Sequence, residues 1–175
     1  MRKLYIAAAT YLGLGLAAGV FYREWTRFFD AVESSQLNTL HTHLLTLGTL
    51  FFLIALGLER GFGLTAHKNF DAWFILHNVA LAWTVGFMLA NGIVHTMGHG
   101  DSWTAAFSGV AGLGHILLTI SFVMFFVILG KRVRRVEYDT LKSCQWRCGY
   151  STSPTCCGPW PTTPNTPCAT VRTTC

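Results

Sequence analysis

Four stretches of this chain contain no Asp, Glu, Lys or Arg: Leu4–Tyr22, Leu37–Leu58, Ala72–Val94 and Ala105–Gly130. Each has the length of about 20 residues needed to cross the hydrocarbon core of a bilayer. Lipid offers the backbone no hydrogen-bond partner, so a crossing segment must satisfy its own amides and carbonyls. Long runs without apolar–polar alternation do this as helices rather than as barrel strands. The expected fold is therefore all-α, an integral membrane four-helix bundle occupying residues 1–135 with the lipid bilayer as its surroundings. Charged residues make up 12% of the chain, against roughly a quarter in a soluble domain. They cluster at 2–3, 23–33, 59–71, 101 and 131–147. This distribution excludes a water-soluble enzyme, and it excludes a nucleic-acid binder despite the net charge of +5.

Direction follows from lysine and arginine. With both ends on one side, that side carries Arg2, Lys3, Arg60, Lys68, Lys131, Arg132, Arg134 and Arg135, and the other carries Arg23 and Arg27. The positive side stays inside, which predicts a plasma-membrane protein with both termini cytoplasmic. Met1-Arg2-Lys3 followed by an apolar run and Ala17-Ala18-Gly19 also has the shape of a signal peptide. The length of that run and its small residues (Gly13, Gly15, Ala17, Ala18, Gly19) favour a retained, closely packed helix. Residues 136–175 change character, because all six cysteines and all five prolines lie after residue 143. Their spacing fits no usual zinc ribbon, so this segment is expected to be a disordered tail rich in Cys, Pro and Thr, without a function of its own.

The chemistry lies in seven histidines, four of them (His41, His43, His77 and His115) inside the apolar runs. No charged side chain accompanies them there, which argues against a carboxylate proton relay and toward neutral imidazole bound to a metal or haem iron. Fifteen residues separate His43 from Leu58, and fifteen separate His115 from Gly130. Both therefore sit roughly 22 Å above the inner edge at about 1.5 Å per residue, while His77 lies about 15 Å lower. Two imidazoles at one depth on different helices are what a b-type haem requires. Ser108, Ala111, Gly112 and Thr119 leave room beside His115 for a flat ring. His41 and His43 point roughly 200° apart, and Leu47 and Gly48 would let either face of that helix approach a macrocycle; depth favours His43, with His41 the rival. Arg23 and Arg27 stand where haem propionates would emerge, and equally suit an interfacial anchor beside Trp25. His77, Thr84, Asn91 and His95 form a polar stripe expected to face the interior. In the outer loop, His95 and His99 with Met97 and Asp101 could hold copper or zinc, although an ordinary solvated loop explains them as well.

The segments "GVFYREWTRF", "LNTLHTHLLTLGTLFFLIALGLER" and "GVAGLGHILLTISFVMFFVILGKR" resemble a family of small bacterial four-span membrane proteins of unknown function. The resemblance covers about residues 1–135, is specific at His-Thr-His and Gly-Leu-Gly-His, and implies a fold and a membrane location without an activity. More loosely, histidines on the second and fourth helices resemble the haem-binding four-helix units of haem A synthase and haem–copper oxidases. That likeness of architecture implies bis-histidine ligation by His43 (or His41) and His115.

Three functions follow as expectations. The leading one is a membrane b-type haem protein serving electron transfer or redox or gas sensing, its redox partner unnamed by the sequence. The second is a copper- or zinc-handling membrane protein using His41, His43, His95 and His99. The third is a structural or accessory subunit whose histidines join helices through hydrogen bonds. Gly13, Gly15, Gly109, Gly112 and Gly114 also permit the close helix contacts of a homo-oligomer.

Overall fold

The computed structural model describes residues 1–29 and 36–149, and every regular element among them is helical. Four helices are long and apolar enough to cross a membrane: α1 (Arg2–Phe28), α2 (Leu37–Phe62), α3 (Phe70–Thr96) and α4 (Ala105–Gly149). The chain is a multi-pass membrane protein. Each helix outruns its charge-free stretch, because residues at the membrane surface continue the hydrogen-bond ladder that the apolar run begins. The chain divides into two compact units, Met1–Arg132 and Val133–Cys175.

Within the first unit, consecutive helices run antiparallel, so α1 and α3 run parallel to each other. Side-chain bonds tie α1 to α3 at three levels: Lys3 Nζ to Asp71 Oδ1 at 2.8 Å, Tyr11 Oη to Asn78 Oδ1 at 2.9 Å, and Trp25 Nε1 to Thr96 Oγ1 at 2.8 Å. α4 meets α3 and α2 through Trp83 Nε1 to the Val110 carbonyl (3.0 Å), His77 to Ser121 (3.0 Å) and Arg132 Nε to the Phe62 carbonyl (2.8 Å). The last bond satisfies a carbonyl that the end of α2 would otherwise leave open. α2 stops at Gly63, whose φ of 60° is the left-handed conformation glycine adopts without strain. Buried Glu59 accepts the Thr65 backbone N–H at 2.8 Å and the Thr65 hydroxyl, which fixes the turn into α3.

Aromatic side chains cluster in the core near this end. Phe51, Phe52, Trp73, Phe122 and Phe125 pack around one another with ring centroids 5.0–6.3 Å apart. Close backbone approach is made at glycines. A Cβ on Gly48 would lie 2.5 Å from the Tyr11 ring, and one on Gly114 would collide with Thr84 and meet Trp83 Cδ1 at 3.0 Å. Midway along α2, Leu44–Leu50 winds as a π-type helix, the wider form that appears as insertions in α-helices and often at functional sites. Side-chain hydroxyls crowd its entrance: Thr42 Oγ1 donates to the Thr39 carbonyl at 2.7 Å, and Thr46 Oγ1 donates to the Thr42 carbonyl. Such back-bonding competes with the ordinary ladder and distorts helices.

The expected start of the tail needs correction. α4 continues to Gly149, so residues 136–149 are helical rather than irregular. No glycine or proline interrupts the chain between Gly130 and Gly149, and a helix already nucleated in the membrane extends at little cost through such residues. Within the second unit, the Lys142 ammonium lies 4.7 Å over the Tyr138 ring. The remainder of the expected tail, 150–175, lies outside the described residues.

The contact at Gly114 gives a direct test. Gly114→Val forces a side chain against the α3 backbone and should destabilise the folded bundle by about 1–3 kcal/mol, the usual cost of overpacking. Gly109→Val, where a Cβ meets nothing within 4 Å, should leave stability unchanged in the same detergent unfolding titration.

Candidate functional site

The structure brings His43 and His115 together. Their ring centroids are 6.5 Å apart and their planes are nearly perpendicular, at 85°. His43 stands on the last turn of α2 before the π-type stretch. Its Nδ1 lies 2.9 Å from the Thr39 carbonyl. A carbonyl only accepts, so Nδ1 carries the proton and Nε2 keeps its lone pair. The same carbonyl takes the Thr42 hydroxyl, and this fixes both the tautomer and the ring's orientation. His115 projects from α4 one residue after Gly114, where α4 approaches α3 closely. It is exposed. On its helix, Gly109 and Gly112 open onto space, with nothing within 4 Å of an added Cβ.

His41 occupies the opposite side of α2, against α1. A Cβ on Gly19 would lie 3.9 Å from His41 Cβ and Cγ, and Gly48, seven residues further on, sits under Tyr11. The expectation that Gly48 could admit a ring on the His41 side fails for this reason: α1 fills that face. His41 Nδ1 is buried without a hydrogen-bond partner among the described residues. Arg23 and Arg27 are exposed on α1, roughly 6 and 12 Å beyond Gly19 by helical rise. Arg23 lies 3.8 Å from Glu24.

His77 is different in kind. It is 0% exposed and stacks on Phe51 at 4.7 Å, with Phe52 and Phe122 edge-on at 5.2 and 5.6 Å. Nε2 donates to the Leu47 carbonyl at 3.1 Å, inside the π-type stretch, and Nδ1 accepts from the Ser121 hydroxyl at 3.0 Å. Both nitrogens are used, so His77 is a helix-joining residue. Thr84 and Asn91 share its buried stripe, whereas His95 is exposed and departs from it.

In the loop between α3 and α4, His99 Nδ1 lies 2.9 Å from the Met97 carbonyl. Among the described residues no group of three or more His, Cys, Asp or Glu side chains gathers at one point. His41, His43, His95 and His99 are thus not assembled into a three-ligand copper or zinc set. Sequence reasoning overlooked Tyr11, Asn78 and Ser121. Their signal was a hydrogen-bonding side chain in a charge-free run, a class read only for histidine and the α3 stripe.

These features define a class: a four-span helical membrane protein with one imidazole from its second span and one from its fourth facing each other. The chain belongs to the DUF2871 family, described as a protein of unknown function, whose model matches residues 1–132. No curated protein and no solved structure matches the chain. The looser likeness to haem A synthase and haem–copper oxidases gains no support from these comparisons.

His67, in the turn between α2 and α3, reports on the charged end of the first unit. Its pKa falls below the ordinary 6.5, through partial loss of water first and then through Lys131, Lys68 and Arg132. The folded state therefore resists protonating it. Any contribution to stability is present above the unfolded pKa and declines as pH falls through the ordinary histidine range. An NMR titration of the His67 ring should give a midpoint below 6.5 that moves upward in Lys131→Gln. A midpoint at or above the ordinary value would contradict this arrangement.

Proposed function

We propose that this protein is a small membrane b-type cytochrome in which His43 and His115 supply the two axial nitrogens to haem. The observation that carries the reading is the 6.5 Å separation of the two rings. A metal–imidazole bond of about 2 Å on each side, plus the short distance from nitrogen to ring centre, sets two axial imidazoles roughly 6 Å apart. Perpendicular ring planes suit such a pair, since each ring turns independently about its own bond to the metal. The Thr39 carbonyl supports the reading as well. A ligating histidine characteristically donates its other N–H to an acceptor that fixes its orientation, and His43 does so. The open glycine surface beside His115 leaves space for a flat macrocycle.

Haem held by both His43 and His115 would supply one-electron transfer rather than oxygen chemistry. The chain's own contribution would be to hold two imidazoles at one depth through His43 and His115, with Arg23 and Arg27 of α1 the candidate partners for the propionates. On this reading both termini lie in the cytoplasm of a bacterial cell, in accord with the lysine and arginine balance, and the haem lies toward the outer leaflet.

A reduced-minus-oxidised absorption spectrum of the purified protein tests the proposal. A Soret band with a sharp α band, unchanged by carbon monoxide, is expected. His43→Ala and His115→Ala should each lower haem content by about tenfold or more, while His41→Ala retains it. A protein expressed with adequate haem supply that shows no Soret band would overturn the cytochrome reading.

A further inference from the structure

A second site lies on the other side of α2. Between α1 and α3 a cavity of about 570 Å³ opens laterally, with Leu44 among its lining residues. That volume is typical of a small-molecule pocket. Its walls are apolar, Leu14, Phe74, Leu81 and Val85 among them, and they carry one hydrogen-bonding pair, Tyr11 and Asn78. The chemistry of that pair is defined by its bonds. Tyr11 donates its hydroxyl to Asn78 Oδ1, and Asn78 Nδ2 donates to the Phe74 carbonyl at 2.7 Å. Tyr11 Oη therefore retains lone pairs, and Asn78 retains a second amide N–H. One wall of the cavity offers an acceptor and a donor side by side.

Depth and charge select the occupant. The pair lies about 11 Å along the helices from the Lys3–Asp71 ion pair at the cavity's end. A charged headgroup is costly at that depth. Lys3, the one lining cation, is paired with Asp71 at 2.8 Å, so the rim carries little net positive charge to attract a phosphate. The polar pair thus calls for a neutral, lipid-soluble molecule with oxygen substituents on a flat head. We infer that the cavity binds the head of an isoprenoid quinone. A quinone carbonyl accepts from Asn78 Nδ2, a quinol hydroxyl donates to Tyr11 Oη, the ring lies against Phe74, and the tail leaves through the lateral opening into lipid. Leu44 turns toward α1 while His43 turns toward α4, so the cavity is separate from the proposed haem ligands and quinone binding does not require haem to be present.

The test uses the full chain in phosphatidylcholine vesicles free of quinone, labelled with a photoreactive azidoquinone in competition with decylubiquinone. Label is expected on peptides of α1 and α3, displaced by decylubiquinone. Gly86 lines the cavity, and a Cβ there meets nothing within 4 Å. Gly86→Leu should therefore fold and lower competed labelling by about tenfold, as should Ala82→Leu on the same wall. Tyr11→Phe and Asn78→Leu should each weaken competition by about 2- to 10-fold, the effect of one hydrogen bond. Labelling that decylubiquinone does not displace, or that is equal across the variants, overturns the proposal. So does recovery of phospholipid acyl chains alone from the cavity, or a Tyr11–Asn78 pair that only joins helices. Haem content measured on the same samples separates the two readings: competed labelling without a Soret band sinks the cytochrome and keeps this site, and the reverse outcome does the opposite.

Discussion

The hydrogen bonds of His77 determine how the other spans can be arranged. A buried imidazole in hydrocarbon has no water to fall back on, so both nitrogens must find protein partners. His77 finds one on α2 and one on α4 while rooted in α3. Each interhelical bond of this kind contributes only about 0.6–2 kcal/mol, yet together they fix three helices at one level. The Phe51 ring packed flat on His77 and the edge-on Phe52 and Phe122 rings exclude alternative positions for it. Because the accepting carbonyl belongs to Leu47, the same bond holds the π-type stretch of α2. That stretch begins at the residue after His43, so the phase at which α2 departs from ordinary winding is set from within the core.

Two histidines on the second span thereby acquire different surroundings from near-identical sequence context. His41 faces α1 across the approach at Gly19, and the following turns of that face are closed by Tyr11 over Gly48. His43 faces α4, where Gly114 draws the backbone against α3 and leaves His115 on the side toward α2. The separation of the rings is thus a consequence of glycine contacts made elsewhere. Enlarging Gly114 would act on the site through the backbone, without touching either ring.

The four spans were legible in the sequence because lipid enforces a simple rule: a run free of charge and of sufficient length must become a helix. The meeting of His43 and His115 was legible for a related reason. Helices that cross the membrane in the same direction and at the same rise, as α2 and α4 do, place residues at equal counts from one interface side by side. The face of α2 was not legible, since counting from an interface fixes height and leaves rotation free. Gly48 was read as room for a macrocycle, whereas only the neighbouring helix shows that Tyr11 takes that room. Nor could the start of the tail be read from composition. The sequence changes in residue type after Val136, but the helix continues through residues 136–149.

The contrast between His77 and the His43–His115 pair argues for the kind of chemistry the bundle can support. His77 uses both of its nitrogens on protein. His43 commits only Nδ1, to its own helix, and turns the rest of its ring toward a second imidazole. Two neutral imidazoles gain little from one another directly, and hydrocarbon makes leaving a nitrogen lone pair without a partner costly. A group that accepts two nitrogens from opposite sides removes that cost. A tetrahedral ion would call for two further ligands, and among the described residues no third His, Cys, Asp or Glu joins the pair. A macrocycle that brings its own four equatorial donors asks the protein for two axial ones. On the proposed function, two-ligand geometry rather than the mere presence of histidine would be what suits haem.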